Sequence, residues 1–252
     1  MVDANPQMVL EGLQWHARSG RWWWTDIEGR ALYAWTPGAA TALQVCLPDR
    51  VACFAHSRSG ALLLGMAKGL ARLVLPDLQA VGVIQAQPEH ILPVELDVTG
   101  TRINDGRCDR RGALVFGTLD EVIVDGRRKT IGSLYQYSRA HGLRRLPLGH
   151  VAVTNSICFS PDGRRMYYAD SPTRRIMTCE YESDTASVGE PQLFALKGRD
   201  EGFPDGSIID AEGCLWNAEW TNSSVARYSA DGRLLARYSA PAPNLTCPAL
   251  GG

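Results

Sequence analysis

Three oxygen-bearing side chains occupy polar, isolated positions in an otherwise apolar-patterned chain. They are Glu11 in Leu10-Glu11-Gly12-Leu13, Asn155 in Val153-Thr154-Asn155-Ser156, and Asp205 in Phe203-Pro204-Asp205-Gly206. Two carboxylates and an amide oxygen make an oxygen-only donor set, which hard divalent cations prefer; Ca²⁺ leads, with Mg²⁺ and Mn²⁺ as alternatives. Zn²⁺ stays open through carboxylate binding, although the five histidines, at 16, 56, 90, 141 and 150, have no ligand spacing. Taken singly, each residue has an ordinary reading. Glu11 reads as a surface carboxylate, Asn155 as a hydrogen-bonded turn residue, and Asp205 as part of a Pro-Asp-Gly turn.

Their spacing argues for more than that. A turn glycine followed by a short apolar or aromatic run recurs at Gly20, Gly60, Gly112, Gly163 and Gly213, with steps of 40, 52, 51 and 50 residues. Asn104, Asn155 and Asp205 each stand eight residues before such a glycine, and Glu11 stands nine before Gly20. The common offset predicts equivalent points on four repeats, with the four side chains facing one another. Asp162 and Asp231, in plain Asp-Gly sequences, read as turns only.

The elements that must hold these residues follow from the same repeat. Each run has the length of a buried strand, and the glycine supplies hairpin geometry. More amphipathic runs follow, as in Ala31-Leu-Tyr-Ala-Trp35, Ser133-Leu-Tyr-Gln-Tyr137 and Val225-Ala-Arg-Tyr228. No long segment has a period of 3.6, so helix should be scarce. Short strands repeating about every 50 residues are the signature of β-propeller blades. The reading is an all-β chain forming one propeller domain over residues 1–252, with ligands at the channel mouth where loops of several blades converge.

Composition removes other classes. The 252 residues are 45% hydrophobic, enough for a sizeable core, and carry a formal net charge of −1. No basic stripe marks a nucleic-acid binder; Arg127-Arg128-Lys129, after Asp125-Gly126, reads as a solvated turn. The seven cysteines are irregularly spaced and form no Cys-x-x-Cys pair, which argues against a zinc ribbon or redox motif. Cys158 and Cys214, in apolar runs, read as buried free thiols. No signal peptide and no membrane-length apolar run is read, so the expected setting is the cytoplasm.

The segments Leu10–Gly20, Arg102-Ile-Asn-Asp-Gly106, Asn155-Ser-Ile-Cys-Phe-Ser-Pro-Asp-Gly163, Phe203-Pro-Asp-Gly206 and Glu212-Gly-Cys-Leu-Trp216 together resemble the gluconolactonase/regucalcin family over nearly the whole chain. The resemblance implies a six-bladed propeller that hydrolyses sugar lactones with one divalent metal. It assigns the metal to Glu11, Asn155 and Asp205, the general base to Asp205, and substrate contacts to Arg102 and Asn104. It also offers Glu121 as an acidic substrate contact. The family's Glu-Gly-Pro is Glu11-Gly12-Leu13 here, a less rigid loop.

In that reading the metal polarises the lactone carbonyl while Arg102 and Asn104 hold the sugar in an attackable pose. A cation also lowers the basicity of Asp205, which leaves activation of the water by the cation as the open variant. No Gly-x-Ser-x-Gly motif offers a serine nucleophile. Two other functions fit the fold: a non-catalytic calcium-binding regulatory propeller, and a propeller hydrolase of aryl esters or phosphotriesters. Continuing the repeat places a sixth turn near position 263, beyond Gly252, so the sixth blade is expected to be incomplete in these residues.

Overall fold

The computed structural model describes residues 9–252. Five sheets follow one another along the chain, each with its strands in sequence order from the inside outward. Three have four antiparallel strands. The first adds a parallel edge strand, Gly82–Gln85, and the fourth sets two short strands, Ser187–Val188 and Gln192–Leu196, against Arg175–Glu182. The inner strands are Leu10–His16, Val51–His56, Thr101–Cys108, Thr154–Phe159 and Phe203–Ile209. Every predicted turn glycine lies in the hairpin that joins an inner strand to the second strand of its blade, at φ between +62° and +94°. That region costs an L side chain and costs glycine nothing. The only helical turn among the described residues is a short 3₁₀ segment, Ser171–Thr173. The basic run Arg127-Arg128-Lys129 belongs to a small exposed hairpin, as a solvated turn should.

The blades pack face to face, and the period-two alternation of each strand sends one set of side chains to each neighbour. Trp23, Leu32 and Leu43 of the first blade meet Phe54, Leu62 and Leu64 of the second. Ala52 and Leu70 of the second meet Ile103 and Phe116 of the third. Val115 and Leu134 then meet Ile157 and Tyr168, and Cys158 and Ile176 meet Ile209 and Leu215. Four apolar clusters thus join five blades in an arc.

The fifth and first blades are bridged differently. Residues 240–252 form no strand and run between the two blades. Gly206 N–H donates to Thr246 O at 2.6 Å, and the Thr246 hydroxyl donates to Leu10 O. Gly251 lies so close to Trp15 that an added Cβ would stand 2.3 Å from the Trp15 Cβ. Trp22 and Trp24, which alternate with the core-facing Trp23, turn toward this side. Five blades and an irregular inner tail are what the described residues form; no sixth hairpin is among them.

Candidate functional site

The site is built on irregularities in the inner strands. In the first, third, fourth and fifth blades the inner strand carries two residues opposite one on its partner. These pairs are Gly12-Leu13, Asn104-Asp105, Ser156-Ile157 and Asp205-Gly206. A β-bulge of this kind re-aims side chains that simple alternation would send to opposite faces. Gly12 at φ +64° and Ser156 at φ +61° carry the left-handed backbone that two of the bulges need.

The bulges also correct the offset reading. Asn104 and Asp205 are the first bulged residues of their strands, whereas Glu11 and Asn155 are the last paired residues before the bulge. The four are therefore not strictly equivalent, because the bulge of the fourth blade lies one residue nearer its turn. They converge all the same, at the end of the channel remote from the hairpin turns. The second blade has Ala52 at the corresponding offset, an apolar side chain with nothing to offer a ligand.

Hydrogen bonds tie the positions together. Asn104 Nδ2 donates to Thr154 O at 2.9 Å and to Asn155 Oδ1 at 3.2 Å, while its Oδ1 accepts from Arg102 Nη1 at 2.9 Å. Asn155 Nδ2 donates to Ser171 Oγ at 2.8 Å, and that hydroxyl donates to Pro204 O at 2.7 Å. Ser156 Oγ donates to Asp205 O at 2.5 Å, and Asn217 Nδ2 donates to the same carbonyl at 3.0 Å. Backbone and side chains are thus fixed around Asp205.

The carboxylates are the electrostatic centre. Asp205 is buried, and burial followed by the neighbouring Asp105 pushes its pKa well above the ordinary carboxylate range. Glu11 is pushed the same way by burial and then by Asp205 and Asp105, with Arg102 opposing. Asp105, raised by burial, accepts the Ile157 N–H at 2.9 Å. Three acids thus feel one another's charge, an arrangement that costs free energy unless protons or a cation compensate them.

Whether these residues suit a cation is answered by Asp205 Oδ1. It is buried and accepts no hydrogen bond from any described group, although buried polar atoms are normally paired. The charge of Asp205 reaches a second carboxylate, Glu11, and Asn155 is tied through Ser171 to Pro204, the residue before Asp205. The donor set is oxygen only and doubly acidic, so it fits a hard divalent ion. Asp210, Glu212 and Cys214 form the one tight group of three acidic or thiol side chains among the described residues. It lies in a hairpin turn, and its Asp210 is already saturated by the N–H groups of Glu212 and Cys214, Trp216 Nε1 and Arg227. That aspartate braces a turn.

Arg102 and Glu121 line one side of the site. Glu121 accepts from Arg50 Nη1 at 2.5 Å and Nη2 at 3.1 Å, and Arg102 Nε lies 3.4 Å from it. Burial works to raise the Glu121 pKa, but the Arg50 bond and the two guanidinium charges hold it below the usual value. Two site residues escaped the sequence reading. Asp105 stands in the Arg102–Gly106 motif, but alternation points it away from Asn104 until the bulge brings both inward. Arg50 has no motif at all.

Comparison with known proteins gives the family. The model of the SMP-30/gluconolactonase/LRE-like region matches residues 9–252. The chain is 38% identical to the L-arabinolactonase of Azospirillum brasilense over 243 residues, 96% of this chain and 77% of that one. It is 28% identical to the pentonolactonase of Haloferax volcanii, over 100% of this chain and 80% of that one. Among solved structures it matches a calcium-binding protein, regucalcin, from Agrobacterium tumefaciens, with a TM-score of 0.85 and 30% identity, covering 99% of this chain and 80% of that one.

Proposed function

The chain belongs to the SMP-30/gluconolactonase/LRE-like family, and from that premise we propose that it hydrolyses sugar lactones with a divalent metal at the channel mouth. The observation that carries the reading is Asp205 Oδ1, buried without a hydrogen bond on a carboxylate whose charge reaches Glu11. Glu11, Asn155 and Asp205 would hold the ion, Ca²⁺ first among the candidates. When bound, it would supply Lewis-acid polarisation of the lactone carbonyl.

The chain's own residues do the rest. Arg102, fixed by Glu121 and Asn104, presents donors to the ring oxygen or hydroxyls of the sugar. Asn104, engaged on both sides of its amide, aligns Arg102 with Asn155 and borders the substrate. Asp205 has its carbonyl held by Ser156 and Asn217, so its carboxylate keeps one orientation and takes the proton of the attacking water. Glu11 and Asp105 keep negative charge around that proton acceptor.

Three further readings accompany this one. The arc of five blades, with the tail on its inner side between the fifth and first, supports a six-bladed ring plan. The whole chain, residues 1–252, is read as one domain, of which 1–8 lie outside the described residues. Seven unpaired cysteines support a reducing, cytoplasmic setting. Among the described residues no helix is long and apolar enough to cross a membrane.

The test is acid release from a panel of pentono- and hexonolactones, with and without a chelator. Hydrolysis that the chelator abolishes and a divalent ion restores supports the proposal; hydrolysis indifferent to the chelator sinks it. The solved relative described as a calcium-binding protein favours one second reading, a calcium-binding propeller without turnover. Metal binding with no hydrolysis of any lactone in the panel would select it.

A further inference from the structure

Neighbouring inner strands are tied to one another around most of the arc. Gln14 Nε2 donates to Phe54 O at 3.0 Å, joining the first blade to the second. Ile103 N–H donates to Ala67 O at 3.0 Å, joining the third inner strand to a hairpin of the second blade. Asn104 and Asp105 join third to fourth, and Ser156 joins fourth to fifth. Among the described residues no hydrogen bond runs directly from Phe203–Ile209 to Leu10–His16. Yet Asp205 and Glu11, the two carboxylates of the proposed metal site, stand on those two strands.

Thr246 spans that break. Its carbonyl accepts the N–H of Gly206, the residue after Asp205, at 2.6 Å. Its hydroxyl donates to the carbonyl of Leu10, the residue before Glu11. That carbonyl is available for a reason. Val9 O accepts Ile27 N–H from the second strand, and strand carbonyls alternate in direction, so Leu10 O points to the strand's free edge. The approach is close on the other side too. A Cβ at Gly206 would stand 2.6 Å from Thr246 O and 3.0 Å from Cys247 Cβ, so only glycine lets the tail come this near. Cys247 then accepts from Arg107 Nη2 at 3.3 Å, which anchors the tail in the channel.

We propose that Thr246 is a positioning residue for the metal site, a clasp that sets the separation of Asp205 and Glu11 by holding the backbone beside each. The proposal rests on the metal-site reading above. It gives the irregular tail a role in the chemistry: outer partners that orient ligands change affinity without touching the ion.

The experiment is calorimetric titration of the full chain with Mn²⁺, comparing the parent with Thr246→Val and Thr246→Ser, and with circular dichroism to verify folding. Val keeps the branched shape and loses the donor; Ser keeps the donor. Thr246→Val should bind Mn²⁺ on the order of 10-fold more weakly, and Thr246→Ser should bind as the parent does. Gly206→Ala, which pushes the tail away from the other side, should weaken binding likewise and stands in if the Val variant does not fold. Parent-like affinity in folded Thr246→Val or Gly206→Ala would overturn the clasp and leave the metal site standing. A parent chain that binds no Mn²⁺ would overturn both.

Discussion

Asn104 of the third blade and Asn155 of the fourth, 51 residues apart, meet amide to amide with Nδ2 3.2 Å from Oδ1. The same Nδ2 reaches Thr154 O at 2.9 Å, so the orientation of Asn155 depends on where Thr154 sits. Gly117 lets it sit there. A Cβ at Gly117 would stand 2.3 Å from Thr154 Cγ2 and 2.5 Å from its Oγ1. Gly117→Ala should therefore cost about 1–3 kcal/mol of stability by overpacking and lower activity with it. Urea denaturation with an unchanged midpoint would show that the contact relaxes freely.

The division of labour between Asp205 and its neighbours is measurable. Asp205→Asn keeps an oxygen donor but cannot take a proton, so kcat should fall much further than Mn²⁺ affinity. Calorimetry and saturating-metal kinetics on one preparation decide it. Near-normal turnover would remove Asp205 from the role of base.

Arg102 touches no candidate metal ligand directly; it meets Glu121 and Asn104. Arg102→Ala should raise KM for the lactone more than it lowers kcat. A pure loss of kcat at unchanged KM would mean that the guanidinium acts only on the transition state.

Acid stability should depend on a buried cluster at the outer side of the fifth blade. Glu219 is fully buried and bonded to Lys197 Nζ at 2.7 Å and to Arg237 Nε at 2.7 Å. Burial acts to raise its pKa, but hydrogen bonds from Arg237, Lys197 and Ser224 hold it down to about 2, against an ordinary 4.5. A depressed folded pKa adds stability that is fully present above 4.5 and is lost as pH falls toward 2. Glu219→Gln should lower stability at neutral pH and flatten its dependence on pH in that acid window. Denaturation midpoints measured from pH 7 to pH 3 test this; parallel profiles for parent and variant would contradict it.

Much of this architecture was legible in the sequence, because glycine turns before apolar runs are local signals. Gly20, Gly60, Gly112, Gly163 and Gly213 each mark a real inner hairpin. The candidate residues were legible as polar interruptions at a shared offset. Their register was not, because a bulge is a relation between two strands and leaves no mark in one of them. Asp105 was missed for that reason, since alternation hides it behind Asn104. Arg50 and Thr246 were missed because they reach the site through partners 71 and 236 residues away. The tail offered neither alternation nor a turn before strand, and its role lies wholly in where Gly206 and Leu10 sit.

The central claim is that Glu11, Asn155 and Asp205 form a divalent-metal site, and anomalous diffraction from crystals soaked in Mn²⁺ tests it most directly. The account predicts one strong peak within about 2.0–2.6 Å of oxygens from all three side chains, including Asp205 Oδ1. A peak at Asp210 and Glu212 instead, or none at the channel mouth with all three side chains ordered, would contradict it.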